Sequence, residues 1–311
     1  MSTLADPHRN PLTFALEKTY ERMLWLPIAF NELMGTTFIT FVFAFVTASP
    51  SGMGDPTGTS ASGSPIVFAS AYWSSLAAIG FISCGYFNPA VTLNNMAMRK
   101  IHWKQGLLSI FMQFIGGFLG AGIAYGFNHD GHFRVVPTER NKHISLGHAF
   151  GLEVFVMFFL LIFLSVALDG NHPLRKYQLV SYSVFAVINL TLIQTFNPYT
   201  GGMYNPAVDV AINVIGYHSI EQGANDENAT IPTDDKHWIQ KSLVIYFLAP
   251  LCSVVSSLLL YYGLYRPTIQ VQKREKEAQE DIPYQAMPDD SNNRSKSIIS
   301  NISEKAPEDD Q

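Results

Sequence analysis

The chain has 311 residues, of which 48% are hydrophobic, 13% are aromatic and only 14% are charged. Soluble domains carry about 25% charged residues, so this composition argues against a soluble globular protein and favours a membrane protein. The net charge is −5, and the sequence has no basic region of the kind that binds nucleic acid. Its two cysteines lie in apolar segments and predict neither a disulfide framework nor a zinc site. We expect no cofactor and no bound metal.

Six apolar stretches are each close to the roughly 20 residues that a helix needs to cross the hydrocarbon core of a bilayer. They run over residues 26–48, 65–84, 104–127, 147–168, 177–196 and 239–265. The polar residues before the first stretch, and the length of that stretch, argue against a cleaved signal peptide. The sequence therefore predicts an all-α, multi-pass integral membrane protein.

Basic residues near the ends of these stretches predict the orientation of the chain. Lys and Arg occur before the first stretch, between the second and third, between the fourth and fifth, and after the sixth. The positive-inside rule assigns these ends, and with them both termini, to the cytoplasm. Asn228 begins a possible N-glycosylation sequon in a connection that is expected on the opposite side.

Changes in composition divide the chain into three regions. Residues 1–24 are expected to form a cytoplasmic N-terminal segment, and residues 25–266 a membrane domain with halves at about 25–128 and 147–266. Residues 267–311 are rich in Glu, Asp, Gln, Ser and Lys, so we expect a disordered cytoplasmic tail there.

An internal duplication is indicated by two features that recur at nearly equal spacing. The tripeptide Asn-Pro-Ala occurs as Asn88, Pro89 and Ala90 and again as Asn205, Pro206 and Ala207. The two copies are 117 residues apart, and Glu32 in the first apolar stretch is matched by Glu153 in the fourth, 121 residues later. Because each half has an odd number of spans, the halves must be inverted relative to each other, as in transporters with a solute path at the repeat interface.

Each Asn-Pro-Ala motif predicts the start of a helix, because Asn is a favoured N-cap and Pro is favoured at the first helical position. The residues that follow each motif allow only about two or three turns before a polar connection. We therefore predict two re-entrant half-helices that enter the membrane from opposite faces and meet at their N-termini near its centre.

The residues before each motif must be non-helical, which is tolerated at this depth only where backbone lines a cavity or is buried in protein. They are Cys84, Gly85, Tyr86, Gly201, Gly202 and Met203. Their carbonyls would accept hydrogen bonds, the asparagine amides would donate them, and the positive ends of both half-helices would repel cations. The pattern predicts a pore for neutral, hydrogen-bonding solutes and not an enzyme.

Glu32 and Glu153 need partners, because an unpaired carboxyl group at membrane depth is expensive. The free backbone groups of the two unwound segments are the expected partners. The alternative is a proton relay in a coupled transporter, which would need further ionisable residues in the spans.

Taken together, the two motifs and the two buried glutamates make residues 24–266 resemble the aquaporin or major intrinsic protein family. The resemblance implies six tilted helices and two half-helices around one pore in each subunit. It also implies a homotetramer in a lipid bilayer, which we expect to be the plasma membrane.

The resemblance further implies a selectivity constriction at four positions counted from the motifs. These positions are Phe68, Ile193, Gly202 and Val208. Most family members have arginine at the last of them, so Val208 predicts an apolar, wide constriction without strict water selectivity. Asp209, together with Pro250 and Leu251, resembles the glycerol-conducting branch, so glycerol and water are the leading solutes.

Other functions remain open at the level of the sequence. Hydrogen peroxide, urea, ammonia and carbon dioxide are alternative solutes, and the missing arginine allows some ion leak. The altered constriction also allows a membrane protein of this fold that conducts poorly and has a structural or sensing role. An ion-coupled transporter is disfavoured, because the spans contain few charged residues.

Overall fold

A computed structural model describes residues 25–48, 63–83, 85–127, 144–167, 177–200, 204–223 and 233–280. The α-helices in these residues are α1 (Trp25–Ala48), α2 (Gly63–Ser83), α3 (Pro89–Ala97), α4 (Trp103–Phe127), α5 (Leu146–Ala167), α6 (Gln178–Thr200), α7 (Pro206–Gly223), α8 (Thr233–Leu260) and α9 (Arg266–Glu280). A π-helical turn at Tyr261–Tyr265 separates the last two.

Six of these helices are long and apolar enough to cross a membrane: α1, α2, α4, α5, α6 and α8. Large apolar side chains such as Phe81 and Leu259 point outward from them and are about 70% exposed in the isolated chain. Such exposure would be costly in water and is expected where the surrounding solvent is lipid. The prediction of an all-α protein with six spans is confirmed.

Helices α3 and α7 are the two half-helices, and each begins at the proline of an Asn-Pro-Ala motif. Helix α3 is short because Arg99, just beyond its C-cap residue Met98, has a positive φ of 58°, a common way to end a helix. Helix α7 has 18 residues, so the prediction of two or three turns is wrong for it. After Ile215 the only helix-weakening residue before Gly223 is Gly216, and one glycine does not end a helix.

The two halves pack in the same way. In the first half α1 packs against α2 and α4, and in the second half α5 packs against α6 and α8. Each half-helix then contacts the last span of both halves, so that α3 lies against α4 and α8 while α7 lies against α8 and α4. Contacts of each half-helix with the last spans of both halves are the packing of an inverted repeat. They place both half-helices between the halves.

Glycines in α4 allow close contact with its neighbours. A Cβ at Gly116 or Gly120 would meet backbone atoms of α1, and a Cβ at Gly117 would meet the carbonyl oxygen of Ala207 in α7. Small residues at such crossings let helix backbones approach each other within the membrane. The second half-helix is therefore seated directly on the backbone of the third span.

The segment after the last span differs from the prediction. Within the part of the tail that the structure describes, Arg266–Glu280 is helical where the sequence predicts disorder. Lys, Gln, Glu and Ala in this segment favour helix, Pro267 lies in the first turn, and Lys273 pairs with Glu277 one turn later at 3.7 Å. The rest of the predicted tail, the N-terminal segment and Asn228 lie outside the described residues.

Candidate functional site

Both asparagines of the repeated motif cap a helix. The Oδ1 atom of Asn88 accepts a hydrogen bond from the backbone N–H of Ala90 at 2.9 Å, and Oδ1 of Asn205 accepts one from Ala207 at 3.2 Å. Proline takes the first helical position in each case, where the missing N–H costs no hydrogen bond. The local chemistry of the two motifs is therefore the same.

The two helix starts are joined by a pair of crossed hydrogen bonds. Nδ2 of Asn88 donates to the carbonyl of Tyr204 at 3.0 Å, and Nδ2 of Asn205 donates to the carbonyl of Phe87 at 2.8 Å. Each asparagine thus binds the residue that precedes the other motif, and all four residues are buried. The positive ends of two helix dipoles meet at this point, which disfavours a cation there.

The backbone before each asparagine is strained. Phe87 and Tyr204 have φ angles of 46° and 34°, which L-residues rarely adopt, and Gly85 has a φ of 64°. Such conformations cost about 1–3 kcal/mol each and persist where surrounding bonds hold them. Gly85 and Tyr86 of the predicted carbonyl ladder are buried here. The other members, Cys84, Gly201, Gly202 and Met203, lie outside the described residues.

Glu32 holds the first unwound segment through four hydrogen bonds. Its Oε1 accepts from the hydroxyl of Ser83 at 2.6 Å and the backbone N–H of Tyr86 at 3.2 Å. Its Oε2 accepts from the backbone N–H of Phe87 at 2.8 Å and from Nε2 of Gln113 at 2.7 Å. The carboxyl group is buried from water and engaged on both oxygens, so it acts as a fixed acceptor for the strained loop.

Sequence reasoning missed Ser83 and Gln113. Gln113 also donates to the hydroxyl of Thr92 in α3 at 2.8 Å, and so connects the third span to both Glu32 and the first half-helix. The available signal was a single amide side chain in the middle of an apolar span, since such a group needs partners within the membrane.

Glu153 is also buried, and Thr200 lies beside it. Within the described part of the chain its Oε1 has no hydrogen-bond partner. Residues 201–203, which correspond to the segment that Glu32 binds in the first half, are outside the described ranges.

The second motif has a support of its own in Asp209. Its Oδ2 accepts from the backbone N–H of Asn205 at 3.0 Å, and its backbone carbonyl accepts from Nδ2 of Asn213 at 2.7 Å. In the first half the corresponding residue is Thr92, whose hydroxyl donates to the carbonyl of Asn88 at 3.0 Å. The carboxylate at the start of α7 also suits the positive end of that helix.

The other two branch markers lie in α8 and do not touch the motifs in any described contact. Pro250 is inside the helix and buried, whereas Leu251 faces outward. Across the described residues, no group of three or more His, Cys, Asp or Glu side chains could hold a metal ion.

The predicted constriction is apolar, and its three described positions are buried. Phe68, Ile193 and Val208 belong to one buried cluster, and each has 0% of its surface exposed. The ring of Phe68 packs edge-on against Phe43 at 5.2 Å between centroids. Apolar side chains pack against one another here, because none of the three carries a charge that has to stay hydrated. The fourth position, Gly202, lies outside the described residues.

Tyr72 is a further residue at the centre that sequence reasoning missed. Its hydroxyl accepts a hydrogen bond from Nδ2 of Asn205 at 2.6 Å and donates one to the carbonyl of Phe87 at 3.1 Å. Tyr72 follows Phe68 by one turn of α2, and their rings lie 5.1 Å apart. A tyrosine one turn beyond a constriction position was the signal that could have found it.

A polar network anchors the other end of the first half-helix. Nδ2 of Asn94 donates to the hydroxyl of Ser165 in α5 at 2.8 Å, and Oδ1 of Asn94 accepts from the hydroxyl of Ser257 in α8 at 3.1 Å. The first half-helix is thus bound to the second half of the chain at both of its ends. No sequence signal identified these three residues as partners.

Comparisons with known proteins agree with this architecture. The family profile described as "Major intrinsic protein" matches residues 21–261. Aquaporin-4 of Notomys alexis is 29% identical over 205 residues, which are 64% of this chain and 54% of that protein. Aquaporin NIP1-1 of Oryza sativa subsp. japonica is 29% identical over 195 residues, which are 61% of this chain and 65% of that protein. The matched region thus spans between half and two thirds of these relatives.

The fold is also found in a solved structure. The aquaglyceroporin from Plasmodium falciparum superposes with a TM-score of 0.64 and 22% sequence identity, covering 79% of this chain and 99% of that one. At this identity the likeness establishes the fold alone. Together with the family profile, which covers most of the chain, it leads to one conclusion: the chain belongs to the major intrinsic protein family.

Proposed function

We propose that the protein is a transmembrane channel for the passive permeation of small neutral solutes, with glycerol and water as the leading candidates. The observation that carries the proposal is the pair of crossed hydrogen bonds between Asn88 and Asn205 and the two strained loops. They hold two helix N-termini against each other in the middle of six membrane spans. This arrangement offers amide donors and carbonyl acceptors to a neutral solute while disfavouring cations. No chemical step is involved.

The preference for glycerol rests on the chemistry of the constriction. Phe68, Ile193 and Val208 supply an apolar surface suited to the C–H face of a polyol, whose hydroxyl groups would be taken by backbone carbonyls. Asp209 adds support, because it binds the start of the second half-helix directly. Family membership and the fold shared with an aquaglyceroporin agree with a solute of this kind.

Swelling of reconstituted vesicles tests the proposal. The full chain is incorporated into vesicles, and the rates of volume change are measured by stopped-flow light scattering in gradients of water, glycerol and urea. We expect rates above those of empty vesicles for water and glycerol. Rates equal to those of empty vesicles for every solute would contradict the proposal.

Val208→Arg tests the proposed constriction. An arginine there would add a fixed charge and hydrogen-bond donors and would narrow the passage. We expect glycerol permeation to decrease by a larger factor than water permeation. Leu251→Ala, on the outward face of α8, is the control. An arginine at this position would place a charge in lipid and is therefore not used. Equal effects of Val208→Arg on all solutes would show that Val208 does not select among them.

A second candidate is a poorly conducting member of the family with a structural or sensing role. The complete burial of Phe68, Ile193 and Val208 favours it, since an open water-filled passage would leave its lining exposed. The same swelling measurements decide between the two.

We also infer the setting of the channel. Residues 25–266 form the channel domain, with both termini in the cytoplasm and four copies assembled in the plasma membrane. The basic residues at span ends support the orientation, and family membership supports the tetramer. Chemical cross-linking in detergent would yield a tetramer band if this is correct, and a monomer alone if it is not.

A further inference from the structure

The donors of the second asparagine are fully used within the protein. An asparagine amide nitrogen carries two hydrogens. In Asn205 one is directed to the carbonyl of Phe87 at 2.8 Å and the other to the hydroxyl of Tyr72 at 2.6 Å. Asn205 therefore has no N–H left for a solute while Tyr72 stays in place.

The Tyr72 hydroxyl makes the hydrogen bonds that a permeating water or alcohol would make. It accepts from Asn205 and donates to the carbonyl of Phe87, 3.1 Å away. The side chain of Asn88 also lies near this hydroxyl. A phenol that comes from α2 thus occupies the point between the two motifs where the donor and the acceptor for a solute converge.

The ring of Tyr72 is held in this position by aromatic neighbours. It lies edge-on to Phe68 of the same helix at 5.1 Å and to Phe185 of α6 at 5.5 Å. Edge-to-face pairs of this kind add to the stability gained by burial. The ring therefore extends from the constriction residue Phe68 to the second motif.

Burial agrees with a closed passage. Tyr72 is 1% exposed and Asn205 is 0% exposed. A continuous water-filled path would give water access to the amide group of Asn205. Such access is absent here.

We propose that Tyr72 closes the passage by taking the place of the solute between the two asparagines, and that its displacement limits the rate of permeation. This inference rests on the proposed channel function. Tyr72 is a rate- and specificity-determining residue, because a solute must replace both of its hydrogen bonds before it reaches Asn205. Small hydroxyl-bearing solutes and water satisfy this requirement, whereas solutes without a hydrogen-bonding group do not.

The test compares the native chain with Tyr72→Val in stopped-flow swelling of vesicles. Valine suits the apolar helix and removes both the hydroxyl and the ring. We expect water permeability to increase roughly tenfold, since two hydrogen bonds no longer have to be exchanged. Phe81→Ala is the matched control, because it removes an aromatic ring from the outward face of the same helix, and its rate should equal that of the native chain.

A second variant guards against misfolding of the first. Tyr72→Phe keeps the ring and its packing but removes the hydroxyl, and it should conduct severalfold faster than the native chain, though slower than Tyr72→Val. Size-exclusion profiles of all variants are compared with that of the native chain before reconstitution. A higher water permeability of Tyr72→Phe than of the native chain supports the proposal even if Tyr72→Val does not fold.

The outcomes separate this inference from the proposed function. A native chain that conducts above empty vesicles, with Tyr72 variants no faster, would overturn the closing role and leave the channel function intact. A silent native chain with fast variants supports the closing role of Tyr72, while the native rates contradict the proposed permeation of water and glycerol. If the native chain and the folded variants all match empty vesicles, both the closing role and the channel function are wrong.

Discussion

The two Asn-Pro-Ala segments share the helix cap and the crossed hydrogen bond at the asparagine, and they have different supports around it. In the first segment the loop is held by Glu32, which binds four donors from α2, the loop itself and α4. In the second, Asp209 binds the N–H of Asn205 from within the half-helix. The comparison shows that both halves make the crossed hydrogen bonds. The side chains that support the asparagine segment differ between the halves.

The two segments also differ in the hydrogen-bond donors that their asparagines leave available to a solute. Asn205 Nδ2 donates to both Phe87 and Tyr72, whereas Asn88 Nδ2 donates to Tyr204 and has the Tyr72 hydroxyl nearby. The asymmetry falls at the second copy, beside Val208, where the family resemblance already indicated unusual selectivity. The two ends of the same centre are therefore unequal.

The largest effect is expected from Glu32→Ala. It leaves two backbone N–H groups, a hydroxyl and an amide without their acceptor, so the free energy of unfolding should decrease by about 4 kcal/mol or more. Reversible unfolding in mixed micelles with increasing SDS would measure it. Glu153→Ala is the matched variant and should cost less; equal losses would show that both loops depend on their glutamate alike.

Asn205→Ala should have the next largest effect on the free energy of unfolding. It removes a helix cap and two donors, and we expect a loss of about 2–3 kcal/mol. Asn88→Ala removes a cap and one described donor, for a loss of about 1–2 kcal/mol. The same unfolding measurement compares them. If Asn88→Ala proved the more destabilising, the proposed asymmetry between the two motifs would be wrong.

Substitution of glycine in α4 tests how each half-helix is seated. A Cβ at Gly117 would meet the backbone carbonyl of Ala207 in α7, which is rigid, so Gly117→Ala should cost about 1–3 kcal/mol. A Cβ at Gly106 would meet the flexible side chain of Met96 in α3, so Gly106→Ala should cost less than about 1 kcal/mol. Thermal unfolding midpoints in detergent would rank the two, and the reverse order would contradict this account.

Asn94→Ala should have a smaller effect than Glu32→Ala or Asn205→Ala. It breaks the bonds to Ser165 and Ser257 and makes the first half-helix resemble the second, which has Ala211 at the equivalent position. We expect a loss of about 1–2 kcal/mol, seen as a lower unfolding midpoint. Ser256→Ala is the control, because Ser256 is a half-buried serine on the same span as Ser257, and it should leave the midpoint unchanged.

Local chemistry made part of this structure predictable from sequence. Hydropathy located the six spans, and the preferences of Asn and Pro located the starts of α3 and α7. The duplication then required an inverted arrangement. The signals for the spans and for the helix starts lie within a few residues of the features that they predict. The inverted arrangement follows from the number of spans in each half.

The remaining features depend on residues that are distant in the chain. Tyr72 and Asn205 are separated by 133 positions, and Glu32 and Gln113 by 81, so no local pattern indicates that they meet. The constriction was inferred from single side chains, whereas the packing of Phe68 against Phe43 and Tyr72 follows from the tertiary arrangement of the helices. Helix α7 is longer than predicted because the polar residues after Ile215 continue the helix instead of ending it.

The crossed hydrogen bonds have a consequence for how the chain is made. The acceptor of Asn88 is the carbonyl of Tyr204, which lies 116 residues further along. At synthesis rates of about 5–20 residues per second, the first half waits in the membrane for roughly ten seconds before this acceptor exists. During that interval its strained loop depends on Glu32 and Gln113, both of which have already been synthesised. The first loop thus has a support that is complete before the second half exists, and the second loop is inserted onto a partner already in position.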